Sequence, residues 1–87
     1  MLATEGDPAE MVARHEDQRL VRRALAYLPQ REQACLILRG QGLSYAEIAA
    51  VLEVAPGSVG TILARAVSDL KHRYLALLEG VPQNDLP

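Results

Sequence analysis

Tryptophan and phenylalanine are missing from these 87 residues, and three tyrosines are the only aromatic side chains. Sandwiches and barrels draw on aromatic and β-branched residues to cover their half-buried faces, so the composition argues against an all-β fold. Cysteine occurs once, at Cys35, which excludes an internal disulfide and any multi-cysteine zinc site. His15 and His72 lie far apart with no partner at metal-ligand spacing, so neither a metal nor a cofactor is expected. No apolar run approaches the roughly 20 residues needed to cross a bilayer. Met1 is not followed by the basic stretch and apolar core of a signal peptide. A cytoplasmic protein without a membrane partner is the expectation. Catalytic patterns are missing too: there is no Ser-His-Asp set, no paired carboxylates and no phosphate-cradling glycine loop. The chain reads as a non-enzyme.

An excess of positive charge is also lacking. The net charge is −2, whereas nucleic-acid binders are usually basic because neutralised phosphates supply much of their affinity. The balance is uneven, however. Between positions 55 and 75 Arg65, Lys71 and Arg73 stand against Asp69 alone, while the acidic residues concentrate earlier. Strong non-specific DNA binding is therefore not expected.

Ala, Leu, Arg, Glu and Gln are abundant, and all are good helix formers. A chain this short makes one domain with a thin core, burying only about 60% of the surface it exposes when unfolded. Residues 1–8 read as a flexible leader or linker remnant, punctuated by Gly6, Asp7 and Pro8. From Ala9 the apolar residues Met11, Val12, Leu20, Val21, Ala24, Leu25 and Leu28 recur at helical steps. Pro29 is expected to stop this first helix at Leu28. A second helix is expected over 30–39, ended by Gly40, Gln41 and Gly42, where two glycines suit a left-handed cap. Ser44 and Glu47 have the spacing of a capping box, opening a short third helix over 45–52 with Ile48, Ala49 and Leu52 on its apolar face. Glu53, Val54 and Ala55 make the turn. Pro56 fits the first position of a fourth helix, where its missing N–H costs nothing. Val59, Leu63, Ala66, Leu70, Tyr74 and Leu77 then form a buried stripe to about Glu79, and Gly80 caps it, with 80–87 read as a flexible tail. The fold class is all-α, a four-helix domain over residues 9–79 containing a helix-turn-helix.

The informative stretch is Gly42 to Ala66, GLSYAEIAAVLEVAPGSVGTILARA. It is a capped short helix, a tight turn, and a longer helix with a small, polar leading end. Ala49 is the small residue that lets two helices cross closely. Such a unit lays its second helix in the major groove, N-terminal residues foremost. The outward positions are Ser58, Gly60, Thr61, Ala64, Arg65 and Ser68, and these are the candidate DNA contacts. Small residues allow close approach, hydroxyls bond phosphates or base edges, and Arg65 alone has the fork that grips guanine.

Leu28-Pro29 with Arg31 and Glu32, then GLSYAEIAAVL and PGSVGTILARA, resembles the C-terminal domain, region four, of extracytoplasmic-function sigma factors. The resemblance covers about Glu16 to Leu78, most specifically at LSYAEIA. It implies a four-helix domain whose last helix reads the −35 promoter element and whose first helices dock on the β-subunit flap of RNA polymerase through an apolar surface. It also implies regulation by an anti-sigma factor. The stretch DPAEMVARHEDQRL looks like the end of an interdomain linker. Three departures concern charge, the third being a basic residue that many members carry near Val67. Many members carry a basic residue where this chain has Gly60 and another at Ile62, so fewer phosphate contacts are available here.

Plainer readings accompany several residues. The apolar stripe of the fourth helix is core, Cys35 is an inert buried thiol, and Ser44 and Glu47 are a helix cap and not catalytic groups. Two further functions compete with promoter reading. One is a protein-interaction module that docks on the flap or a regulator with little DNA contact. The other is a response-regulator type of helix-turn-helix effector, which tends to dimerise through its last helix; a monomer is expected here.

Overall fold

The computed structural model describes residues 8–80, with side chains from Asp17 onward. Four helices follow one another: α1 (Pro8–Leu25), α2 (Gln30–Gly40), α3 (Tyr45–Leu52) and α4 (Pro56–Glu79). No strand occurs among the described residues. The all-α expectation holds, and the last three helices fall within a residue of the sequence reading. The expected leader and tail lie largely outside the described residues; α1 itself starts at Pro8.

The first helix ends earlier than expected. It stops at Leu25, and Ala26 to Leu28 form a turn. Tyr27 N–H bonds Ala24 O and Leu28 N–H bonds Leu25 O, both at 3.1 Å, the tighter i to i−3 pattern of a closing turn. Pro29 forces the chain before it toward an extended conformation. The Gln33 side chain then donates to Leu28 O at 2.8 Å and reaches Ala26 O at 3.4 Å, so α2 caps the carbonyls that α1 leaves unpaired.

α2 ends in a Schellman motif. Leu43 N–H reaches back to Leu38 O at 3.2 Å and Gly42 N–H to Arg39 O at 3.0 Å. Of the two glycines, only Gly42 takes a left-handed conformation, at φ 95°. Arg39 Nη1 donates to Leu43 O at 2.9 Å and fastens the same loop. The capping box of α3 is formed in both directions: Ser44 N–H to Glu47 Oε1 at 2.7 Å, and Glu47 N–H to Ser44 Oγ at 3.1 Å.

The turn between α3 and α4 repeats the Schellman pattern without a glycine. Glu53 takes φ 59° and ψ 45°, and Val54 N–H bonds Ala49 O at 3.1 Å. The two helices cross at 92°, within the helix-turn-helix range. Cys35, Ile48, Ala49, Val59 and Leu63 form the centre of the core, with Leu36, Leu38, Leu43, Leu52, Val54 and Ile62 packed around it. α4, about 36 Å long at 1.5 Å per residue, packs against each of the other helices. Along its later turns Ala66 and Ala76 are buried, as is Ala24 of α1. Tyr74 Oη donates to Asp17 Oδ1 at 3.1 Å and ties α4 to α1.

Two stability outcomes follow. A left-handed conformation costs a non-glycine residue about 1–2 kcal/mol, while glycine loses about 0.5–1 kcal/mol more backbone entropy on ordering. Glu53→Gly is therefore expected to raise the unfolding free energy by about 0.5–1 kcal/mol in urea titrations, and Glu53→Ala to change it little. Bonds from the Ser44 backbone and side chain hold the Glu47 carboxyl below the ordinary carboxylate range. A lowered folded pKa stabilises above the unfolded value and loses that contribution as pH falls through the folded one. Wild type is expected to exceed Glu47→Gln in stability near neutral pH, with the two converging below about pH 4 in thermal melts.

Candidate nucleic-acid interface

α4 carries three rows with different surroundings. Val59, Leu63 and Ala66 are buried and Leu70 is half-buried, so this row is core. Ser58, Thr61, Arg65, Ser68 and His72, at alternating steps of three and four, are all exposed on another side. Gly60, Ala64, Val67 and Lys71 form the third row. Of the six candidate contacts, Ser58, Thr61, Arg65 and Ser68 thus share one polar face, and Gly60 and Ala64 belong to a neighbouring one.

The first turn of α4 is open. Pro56 occupies the start, and the preceding Ala55 supplies no side-chain cap. Ser58 N–H turns back to Ala55 O at 2.9 Å. No heavy atom would lie within 4 Å of a side chain at Gly57. The contrast with the sealed start of α3 is physical: there Ser44 and Glu47 consume the free donors, whereas no acidic residue sits in the first turn of α4. An uncapped N-terminus favours anions through its dipole and its free N–H groups.

Gly60 and Ala64 line an open groove of about 510 Å³ between α2, α3 and α4, together with Leu36, Arg39, Tyr45, Leu63 and Val67. A Cβ at Gly60 would stand 3.7 Å from Tyr45 Cε2, an ordinary contact. Arg39 lies over the Tyr45 ring at 5.5 Å from its centroid, so one rim of the groove is a cation stacked on an aromatic face. Val67 is 54% exposed and Tyr45 47% exposed, leaving large apolar surface uncovered.

A carboxyl pair that the sequence pattern did not disclose lies behind the polar row. Glu32 of α2 is only 7% exposed, and its partner Asp69 sits on α4, thirty-seven positions along the chain. Burial pushes the Glu32 carboxyl above its ordinary range; a hydrogen bond and charge repulsion from Asp69 push it further, and Arg65 pulls it back. Glu32 Oε1 is buried without a hydrogen-bond partner. The only sequence signal was the pairing of Arg31 and Glu32 after Leu28-Pro29, which carries no information about Asp69.

Burial also raises the Cys35 thiol, and Cys35 is fully enclosed, as expected for a core cysteine. Among the described residues no group of three or more His, Cys, Asp or Glu side chains is arranged to hold a metal ion. No single helix among them is long and apolar enough to cross a membrane.

No curated protein and no solved structure matches the chain. A family model does: that of sigma-70, region 4, over residues 18–70. The matched span runs from α1 through the capping box and the left-handed turn to the Glu32–Asp69 apposition. Region 4 is a transcription-factor domain known for recognising the −35 element and binding RNA polymerase, and it is not an enzyme family. The capped α3, the 92° turn and the open, polar start of α4 are the parts such a domain requires, and this chain belongs to the sigma-70 region 4 family.

Proposed function

We propose that the chain is a region-four domain of the extracytoplasmic-function type, acting in the cytoplasm and reading −35 promoter DNA with the Ser58, Thr61, Arg65 and Ser68 face of α4. The observation that carries this reading is the exposed polar row beginning at an uncapped helix N-terminus. The free N–H groups and the hydroxyls of Ser58 and Thr61 suit phosphates, and Arg65 suits a guanine edge. Gly60 and Ala64, the other two candidates, serve the groove: their small size keeps Tyr45 and the backbone of α4 close to one another.

The groove between α2, α3 and α4 is the surface proposed for the polymerase flap. Helix-in-groove docking needs apolar anchors along a trough, and Leu36, Tyr45, Leu63 and Val67 provide them. An anti-sigma regulator covering the same trough would block docking and shade the start of α4 together. A protein-docking module with weak DNA contact is the second reading. It is favoured by the net charge of −2 and by the lack of any basic residue in the first two turns of α4. The polar row and the groove occupy different faces, so the two activities are compatible in a monomer.

Arg65→Ala is expected to weaken binding to a cognate −35 duplex by about 1–3 kcal/mol and to flatten its salt dependence, read by fluorescence anisotropy at two salt concentrations. Salt-independent binding by the wild type would reject DNA reading by this face. For the groove, Val67→Glu on an exposed position should leave the fold intact and reduce capture of a purified flap fragment roughly tenfold. Undiminished capture would move docking to the exposed Val21 of α1, Ile37 of α2 and Tyr27 in the turn between them.

A further inference from the structure

The third row of α4 continues past Lys71. Gly60, Ala64, Val67, Lys71, Leu75 and Leu78 follow at steps of three and four and lie within about 80° of arc at roughly 100° per residue. The row changes character along its length. Its first half is small, and Gly60 and Ala64 line the trough with Leu36, Tyr45 and Leu63. Its second half carries Leu75 at 46% and Leu78 at 52% exposure, so about half of each leucine is uncovered by the described residues. The two ends of the helix are mismatched in charge as well. Glu79 is exposed at the C-terminal end, where no basic residue offsets the negative pole of the helix dipole. The first turn is uncapped and has no acidic residue. One half of α4 offers a trough and a free positive end; the other offers two leucines and an anion.

We propose that this row is a self-complementary interface, in which α4 of a second copy of the chain lies antiparallel along it and each copy seats Leu75 and Leu78 in the other's trough. Reversing the helix about the level of Asp69 brings Leu78 of one copy to Gly60 of the other, Leu75 beside Ala64, and Lys71 to Val67. The same reversal sets Glu79 over the open first turn of the second α4, at the end of the trough that Arg39 rims from above Tyr45. Opposite charges thus meet at both ends of the pairing and fix its direction. A parallel pairing would set Leu78 against Leu78 and Glu79 against Glu79, and would leave both troughs empty. Both copies use the same patch, so the contact closes as a twofold dimer and does not grow into a filament. Near the axis each Lys71 lays its stem over Val67, while the two ammonium groups repel and keep the pairing weak and reversible. The interface does not depend on the role proposed for the trough. Where the trough does receive the polymerase flap, self-association competes with docking.

Sedimentation equilibrium of the chain from micromolar to millimolar concentration tests this, with wild type, L78K and V51E. A cation suits the last turn of a helix and Leu78 is half exposed, so L78K keeps the fold, with a thermal melt as its control. Val51, 58% exposed on α3 and outside the trough, serves as the comparison site. The expected result is a monomer–dimer equilibrium whose association constant falls roughly tenfold or more in L78K and is unchanged in V51E. Direction is read with a short bifunctional thiol reagent on G60C and L78C, alone and mixed. Gly60 and Leu78 lie about 27 Å apart along α4 at 1.5 Å per residue, and Cys35 is enclosed, so only the mixture should yield a cross-linked dimer. A chain that stays monomeric at millimolar concentration overturns the inference, as does an association that L78K leaves intact. Cross-linking of either protein alone, or none in the mixture, overturns the antiparallel pairing.

Discussion

The Val54 N–H bond to Ala49 O, closed over a left-handed Glu53, is the constraint on which the rest depends. It turns the chain through a right angle within three residues and leaves no slack between α3 and α4. Because Ala49 carries only a methyl group and is 3% exposed, the two helices approach closely enough for Ile48 and Val59 to be fully enclosed between them. The core then closes on Cys35 of α2. With that corner fixed, the direction in which α4 leaves the body is fixed, and so is the assignment of each of its rows to core, groove or solvent. Promoter recognition by a helix needs this rigidity, since a recognition helix that rocked on its support would lose both register and contact energy.

The same geometry gives one helix two accessible faces of different character. The polar row of α4 is exposed to solvent, and the Gly60, Ala64 and Val67 row closes a trough with Tyr45 and Leu36. The small residues that looked like a concession to close DNA approach are explained as well by the need to seat α4 beside Tyr45. A basic side chain at Gly60 would strengthen phosphate contact and would also stand over that trough. Here the trough is open and the position carries no cation.

Most of the fold was legible from local chemistry. Pro29, Gly42, Ser44 with Glu47, Pro56 and Gly80 each announce a boundary by a rule that operates over four or five residues, and each lies at or next to the boundary observed. The misplaced end of α1 depended on a contact from outside the segment, since Gln33 completes the early stop by taking carbonyls that further helix would have used. Glu53 was legible as a turn residue, but nothing in its chemistry announced a left-handed conformation, because the crossing of α3 and α4 imposes it. The site was legible as a stretch and less so as a surface. Helical spacing places Ser58, Thr61, Arg65 and Ser68 together, whereas the turning of Gly60 and Ala64 toward Tyr45, and the meeting of Glu32 with Asp69, exist only once α2 packs on α4.

Cys35 gives this architecture its own internal gauge. It is the chain's only thiol, it is fully enclosed at the junction of α2, α3 and α4, and burial holds it in the unreactive protonated form. A thiol-selective reagent can modify it only in molecules whose three-helix junction has come apart, because the thiolate is the nucleophile. The rate of modification therefore counts openings of the corner that aims α4, on a single site and without an introduced probe. Each occupant of the groove or of the polar row that stabilises that corner should register as a slower reaction at a sulfur it never touches.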